Sequence, residues 1–273
     1  TLGFQSVTLK SMEVKANYAW NSKVQRENNP PLPNNIRGLI IGKNNCGKTT
    51  LILNFLLQPD WLDYTHLYVF GKSLHQREYQ IIRKGFEYGL SKQQLTNIFQ
   101  CKDEIGECDP VKLIEDYIQQ GGIAKGSIKS SFFDECTQIP DPSELNASAK
   151  NLLILDDCLL EKQNKAESYY TRGRHNNCDT FYISQNYFRL PRQTIRENAN
   201  FIMLFPQDNK NIAHIYADHC SSDMDIDEFK KLCHRVWEEE GSSYNFVTID
   251  LTSTKSSGKY RQNLETFYFP TTV

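Results

Sequence analysis

No apolar run in this chain approaches the ~20 residues that a membrane-spanning helix needs, and no secretory signal opens it. A membrane partner is not expected. The eight cysteines contain no CxxC pair, and they follow no disulfide spacing. They read as reduced thiols of an intracellular protein, which makes the sequon Asn146-Ala147-Ser148 a chance match. Charge of one sign is lacking too: 31 Lys and Arg stand against 33 Asp and Glu, a formal net charge of −2. No global positive field advertises nucleic-acid binding, so any such contact must come from a local patch. There is no internal repeat and no long low-complexity segment. Thr1 stands where an initiator methionine would, so further residues are expected upstream.

What is present suits a globular α/β protein. With 273 residues, 39% of them hydrophobic, the chain is long enough for one large α/β domain, with or without an appendage. Residues 1–36 are polar and end in Asn28-Asn29-Pro30-Pro31-Leu32-Pro33, an arm with a stiff lead-in. Short apolar runs at Gly38–Gly42, Leu67–Phe70, Leu152–Leu155, Thr180–Ile183, Phe201–Phe205 and Asn245–Leu251 read as buried strands. Helical patterns cover 49–57, 75–88, 93–99 and 111–119, and 121–130 reads as a loop. Buried strands alternating with helices predict a mostly parallel sheet covered by helices on both faces. The expected division is a core over 37–206 and an extension packed on it over 207–273.

Gly42-Lys43-Asn44-Asn45-Cys46-Gly47-Lys48-Thr49 fits GxxxxGK[ST] at every fixed position, between a strand and a helix. Glycines let the backbone wrap closely enough for successive N–H groups to face phosphate oxygens, and the helix presents its positive end. Gly42, Asn44, Asn45, Cys46, Gly47, Lys48, Thr49 and Thr50 are the expected nucleotide-binding residues. Lys48 would reach the β- and γ-phosphates of ATP, and the Thr49 hydroxyl would hold Mg²⁺. Leu152–Leu155 ends in Asp156-Asp157, an apolar strand closed by acids. Asp156 is the second expected Mg²⁺ residue, and Asp157 would polarise the attacking water. A GTPase reading fails because Asn164-Lys165-Ala166-Glu167 follows no strand and lacks the guanine-reading Asp.

Other features stay open. Gln185 closes the Thr180–Ser184 strand and is either a γ-phosphate sensor or a strand-end cap. Between Arg172 and Arg196 there are five arginines and one acidic residue, Asp179. With Tyr187 and Phe188 interleaved, Arg189 and Arg192 are candidate contacts to double-stranded DNA. Lys255, Lys259 and Arg261 flank Ser256-Ser257-Gly258 and form a comparable basic loop, again with Lys259 and Arg261 as DNA candidates. Arg172 and Arg174 leave open, as a lesser alternative, the lid of a nucleoside or nucleotide kinase, and a further alternative is a chain that gates an assembly by binding ATP without turnover. His214, His219, Cys220, Cys233 and His234 match no zinc spacing. Asp223-Met224-Asp225-Ile226-Asp227 lacks the glycine of a calcium loop and reads as the N-terminal cap of a helix.

In order and spacing, the phosphate loop, Leu155-Asp156-Asp157, Arg172-Gly173-Arg174-His175, Tyr182-Ile183-Ser184-Gln185 and Ile195-Arg196-Glu197-Asn198-Ala199-Asn200 together resemble the FtsK–HerA superfamily. Within it the chain is most similar to genome-packaging ATPases of the poxvirus-type branch, including those of virophages, adintoviruses and Polinton/Maverick elements. The likeness runs from about Pro31 to Pro270. It implies a P-loop fold of the RecA/FtsK type and a homo-oligomeric ring that uses ATP to move double-stranded DNA into a capsid. A capsid or portal partner and a location in the viral factory of a host cell follow from the same resemblance. It also implies that Arg174, or less strongly Arg172 or Arg196, acts across a subunit boundary as a catalytic group beside Lys48, Asp157 and Gln185. Many members of the superfamily have Glu where this chain has Asp157.

Overall fold

Every apolar run singled out above overlaps a strand of one sheet. The computed structural model describes residues 27–28, 31–100, 109–121, 126–238 and 244–270. Most of the arm within 1–36 lies outside them, as do 122–125 of the expected loop. Along the chain the elements are β1 (Arg37–Ile41), α1 (Lys48–Leu57), β2 (His66–Gly71), α2 (Arg77–Glu87), α3 (Lys92–Gln100), α4 (Pro110–Gln119) and β3 (Lys129–Phe133). They continue with β4 (Asn151–Asp156), α5 (Asn164–Arg172), β5 (Cys178–Ser184), a π-helical turn (Arg192–Arg196), β6 (Phe201–Leu204), α6 (Asn209–His219) and α7 (Ile226–Trp237). Three short strands follow: β7 (Val247–Asp250), β8 (Tyr260–Gln262) and β9 (Thr266–Tyr268).

The sheet has nine strands in the order β3-β2-β4-β5-β1-β6-β7-β8-β9. From β3 to β6 neighbours run parallel, and from β6 to β9 they run antiparallel. The period-2 alternation of a strand sends successive side chains to opposite faces, and both faces are apolar. Leu39, Leu153, Tyr182 and Ile202 pack under α5, α6, α7 and the π-helical turn. Ile40, Leu152, Ile154, Phe181 and Met203 pack under α1, α2, α3 and α4. The molecule is therefore a three-layer α/β/α structure with a mostly parallel sheet, as the strand pattern predicts.

Two details refine that expectation. The loop expected over 121–130 gives way to β3 at Lys129, an edge strand that is only half-buried. The residues of 207–273 contribute α6 and α7 to one face and continue the same sheet through β7, β8 and β9. The acidic run starts a helix as expected: Asp225 caps α7, and its carboxylate accepts from the Glu228 N–H at 2.7 Å. No helix among the described residues is long and apolar enough to cross a membrane.

Candidate active site

In a parallel sheet the loops leaving the C-terminal ends of adjacent strands share one edge, and ligands bind there. Here the β1–α1 loop, the end of β4 and the end of β5 meet at that edge. The strand order places β5 between β1 and β4. Gln185, just beyond β5, thus stands between the phosphate loop and the Asp-Asp pair. Asn44, Asn45, Lys48, Thr49, Asp156, Asp157 and Gln185 line one cavity of about 140 Å³.

The loop has the backbone its sequence demands. Asn45 and Gly47 take left-handed conformations at φ 59° and 98°, which turn successive N–H groups toward one side. Gly47 is the N-cap of α1 and offers no side-chain cap to the first N–H groups of that helix, leaving them for an anion. Gly42 must be glycine: a Cβ there would lie 2.4 Å from the Cys46 Sγ and 2.7 Å from the Phe205 Cβ. The Gly42 N–H is anchored to the Ser184 carbonyl at 3.1 Å, tying the loop to β5. Lys48 folds over the loop and its Nζ donates to the Lys43 carbonyl at 2.5 Å. Burial pushes the Cys46 thiol up, against the opposing pull of the Lys48 charge, so Cys46 packs as a neutral thiol.

The two acids differ in environment. Asp156 is 8% exposed, and its Oδ2 accepts from the Tyr79 hydroxyl at 2.6 Å. Burial pushes its carboxyl up. The Tyr79 hydrogen bond counters that rise, the Asp157 charge adds to it, and Lys48 opposes it. Asp157 is exposed and left-handed, at φ 53°. Its N–H donates to the Ile183 carbonyl at 3.2 Å, and its Oδ2 lies 3.4 Å from the Gln185 Nε2. The left-handed region favours Asp and Asn, whose short polar side chains tolerate it, over longer residues. The Thr49 hydroxyl and the Asp156 carboxylate in one cavity are hard oxygen donors of the kind Mg²⁺ takes, so the residues present fit that ion.

Sequence reasoning missed three residues of this wall. Ser73 and Gln76 of the β2–α2 loop line the same cavity, and Tyr79 lies behind them. The sequence alone did not show this: the Leu67–Phe70 strand pairs with the Asp-Asp strand, which brings the loop after it out beside Asp156. Tyr244 was also missed. Its ring lies against Gly47, where an added Cβ would approach it to 2.9 Å.

The arginines separate clearly. Arg174 precedes β5 and so lies at the N-terminal edge of the sheet, opposite the cavity. It is exposed and makes no ion pair among the described residues. Arg172 is exposed at the same edge, with Asp141 at 3.7 Å. Arg196 does not fit a role across a subunit boundary. It is 5% exposed, paired with Asp218 at 3.2 Å and set over the Tyr187 ring at 4.9 Å. The basic loop at 255–261 is likewise corrected. Lys259 is 9% and Arg261 5% exposed, and they are paired with Asp223 and Asp250. Buried charges must be paired, and neither side chain is offered to a DNA phosphate. Arg189 and Arg192 remain exposed, on the segment that follows Gln185.

No family model matches the chain, and no curated protein matches it. Among solved structures, the chain is similar to the genome packaging NTPase B204 from Sulfolobus turreted icosahedral virus 2 in complex with AMPPCP. The identity is 12% and the TM-score 0.48, over 85% of this chain and 97% of that chain. It is also similar to the same NTPase in complex with ATP-gammaS, at 13% identity and TM-score 0.48 over 86% of this chain and 97% of that chain. VirB4 of Thermoanaerobacter pseudethanolicus is similar at 10% identity and TM-score 0.43, over 86% of this chain and 89% of that chain.

Proposed function

We propose that the chain is an ATPase of the FtsK–HerA superfamily, in its poxvirus-type branch, that moves double-stranded DNA into a capsid as a homo-oligomeric ring. The observation that carries this reading is the position of Gln185. It closes a strand inserted between the phosphate-loop strand and the Asp-Asp strand, and it faces Asp157 across the cavity. The step from ATP hydrolysis to DNA packaging rests on the resemblance in sequence.

In this reading the uncapped N–H groups of the loop and α1 cradle the phosphates, and Lys48 leaves the Lys43 carbonyl to meet the β- and γ-oxygens. Thr49 and Asp156 would hold Mg²⁺, which supplies charge neutralisation on the phosphates when bound. Asp157 polarises the attacking water, and Gln185 senses whether the γ-phosphate is present. Arg174 cannot serve its own site, because β5, whose seven residues span about 20 Å, separates the two. In the proposed ring it would enter a neighbour's site, where such an arginine is worth ~10³–10⁵ in rate. The same separation argues against a kinase lid built from Arg172 and Arg174. Arg189 and Arg192 are the remaining candidates to grip DNA, with the capsid or portal protein as the stationary partner.

The test is phosphate release with and without double-stranded DNA, alongside the mass of the assembly. DNA-stimulated release by an oligomer is expected, together with a steep fall in affinity as salt rises. Phosphate appearing on an added nucleoside would move the chain to the kinases. Release no greater than that of Lys48→Ala would leave a nucleotide-gated module without turnover.

A further inference from the structure

A carboxylate that must hold a metal's water in one place needs its own rotation fixed. The terminal torsion of Asp is broad, so packing alone does not fix it. Asp156 has a fixture: its Oδ2 accepts from the Tyr79 hydroxyl at 2.6 Å. Tyr79 is itself 1% exposed and lies in the first turn of α2, three residues after its Gln76 N-cap. Among the described residues Asp156 is the only hydrogen-bond partner of that hydroxyl. A phenylalanine would fill the same space, so the oxygen is there for the carboxylate.

We propose that Tyr79 is the positioning residue of the metal-holding carboxylate. By engaging Oδ2 it leaves the other oxygen of Asp156 for the metal's water. It also ties the carboxylate to the segment whose Ser73 and Gln76 line the nucleotide cavity. The proposal rests on the reading of Asp156 as the Mg²⁺ residue. Partners that orient a metal's ligands are commonly worth 10–100-fold in metal affinity.

The experiment measures the affinity of a fluorescent ATP analogue in Mg²⁺ and in EDTA, for the wild-type chain and for Tyr79→Phe. The EDTA affinity should be the same in both chains. The extra affinity conferred by Mg²⁺ should shrink by about tenfold in the variant. In turnover, the half-saturating Mg²⁺ concentration should rise more than the rate at saturating Mg²⁺ falls, a split that general loosening of the fold would not give. An unchanged Mg²⁺ increment in Tyr79→Phe overturns the proposal. A wild-type chain with no Mg²⁺ increment overturns the assignment of Asp156, and the proposal with it. Should the variant fail to fold, 3-fluorotyrosine at position 79 keeps the hydroxyl and gives a ¹⁹F resonance. That resonance should shift with Mg²⁺ and ATP but not with ATP in EDTA, and a resonance that ignores the metal rejects the role.

Discussion

Asp157 differs from its buried neighbour Asp156 in two properties: it is exposed to the cavity, and its backbone sits in the left-handed region. Asn tolerates that conformation as readily as Asp, so Asp157→Asn removes the charge without disturbing the turn. Nucleotide affinity should stay within a factor of a few, and the turnover number should fall by ~10²–10⁴, the usual contribution of a positioned base. Steady-state phosphate release beside equilibrium nucleotide binding separates the two, and a matching loss of affinity would make Asp157 a binding residue instead. At this scale the sequence was legible where chemistry and backbone coincide, as at Gly42, Lys48 and Thr49. It was not legible at Lys259 and Arg261, because a charge pattern records composition and not burial. Their partners are Asp223, 36 residues before Lys259, and Asp250, 11 residues before Arg261; only folding brings each pair together.

The strands that hold the site were legible because β1, β4 and β5 are buried along nearly their whole length and so read as continuous apolar runs. Edge and antiparallel strands were harder. Lys129–Phe133 is half-buried and mixes Lys and Ser with Phe, and β8 and β9 are three residues each, too short for a period to appear. Those small strands are closed by the Arg261–Asp250 pair, both members of which are buried. Arg261→Met should lower stability by about 3–5 kcal/mol by stranding Asp250 while leaving nucleotide affinity at low temperature intact. Denaturant midpoints beside binding at 10 °C would test this, and a variant that kept its stability but lost DNA stimulation would return Arg261 to the DNA surface. A second cluster joins the π-helical turn to α6. The Tyr187 hydroxyl contacts Asp218 and the His219 Nε2, each at 2.8 Å. Burial lowers the His219 pKa to about 4; Asp218 opposes the shift, and Lys259 and Arg196 add to it. The unfolded chain, near 6.5, binds the proton first. Stability is therefore full above pH 6.5 and is lost as pH falls toward 4, by about 3 kcal/mol from this group. Urea unfolding from pH 7 to 4.5 should show a smaller loss for His219→Gln than for wild type. Parallel curves would mean that the histidine does not titrate in that window.

At the scale of the whole molecule, the cavity lined by Lys48, Asp156 and Gln185 lies at one end of the sheet strands. The other carries Arg174, exposed and without an ion-pair partner among the described residues, beside Arg37, whose pKa is lowered first by burial and then by Arg174 itself. The Arg174 charge acts against that of Arg37, while Asp179 supports it. The chain's own cavity lies at the opposite edge of the sheet from Arg174. In the proposed head-to-tail ring each interface would join one chain's cavity edge to a neighbour's arginine edge. The consequence is quantitative. Arg174→Ala alone and Lys48→Ala alone should each lose hydrolysis, the first by ~10³–10⁵ if the arginine acts on the transition state. In a randomly mixed one-to-one ring, about a quarter of the interfaces would pair an intact Lys48 with an intact Arg174 from the next chain. Mixing two inert variants should therefore restore a measurable fraction of wild-type phosphate release, and only under conditions where mass measurement shows a mixed assembly. An arginine serving its own chain, or serving none, gives no restoration at any ratio.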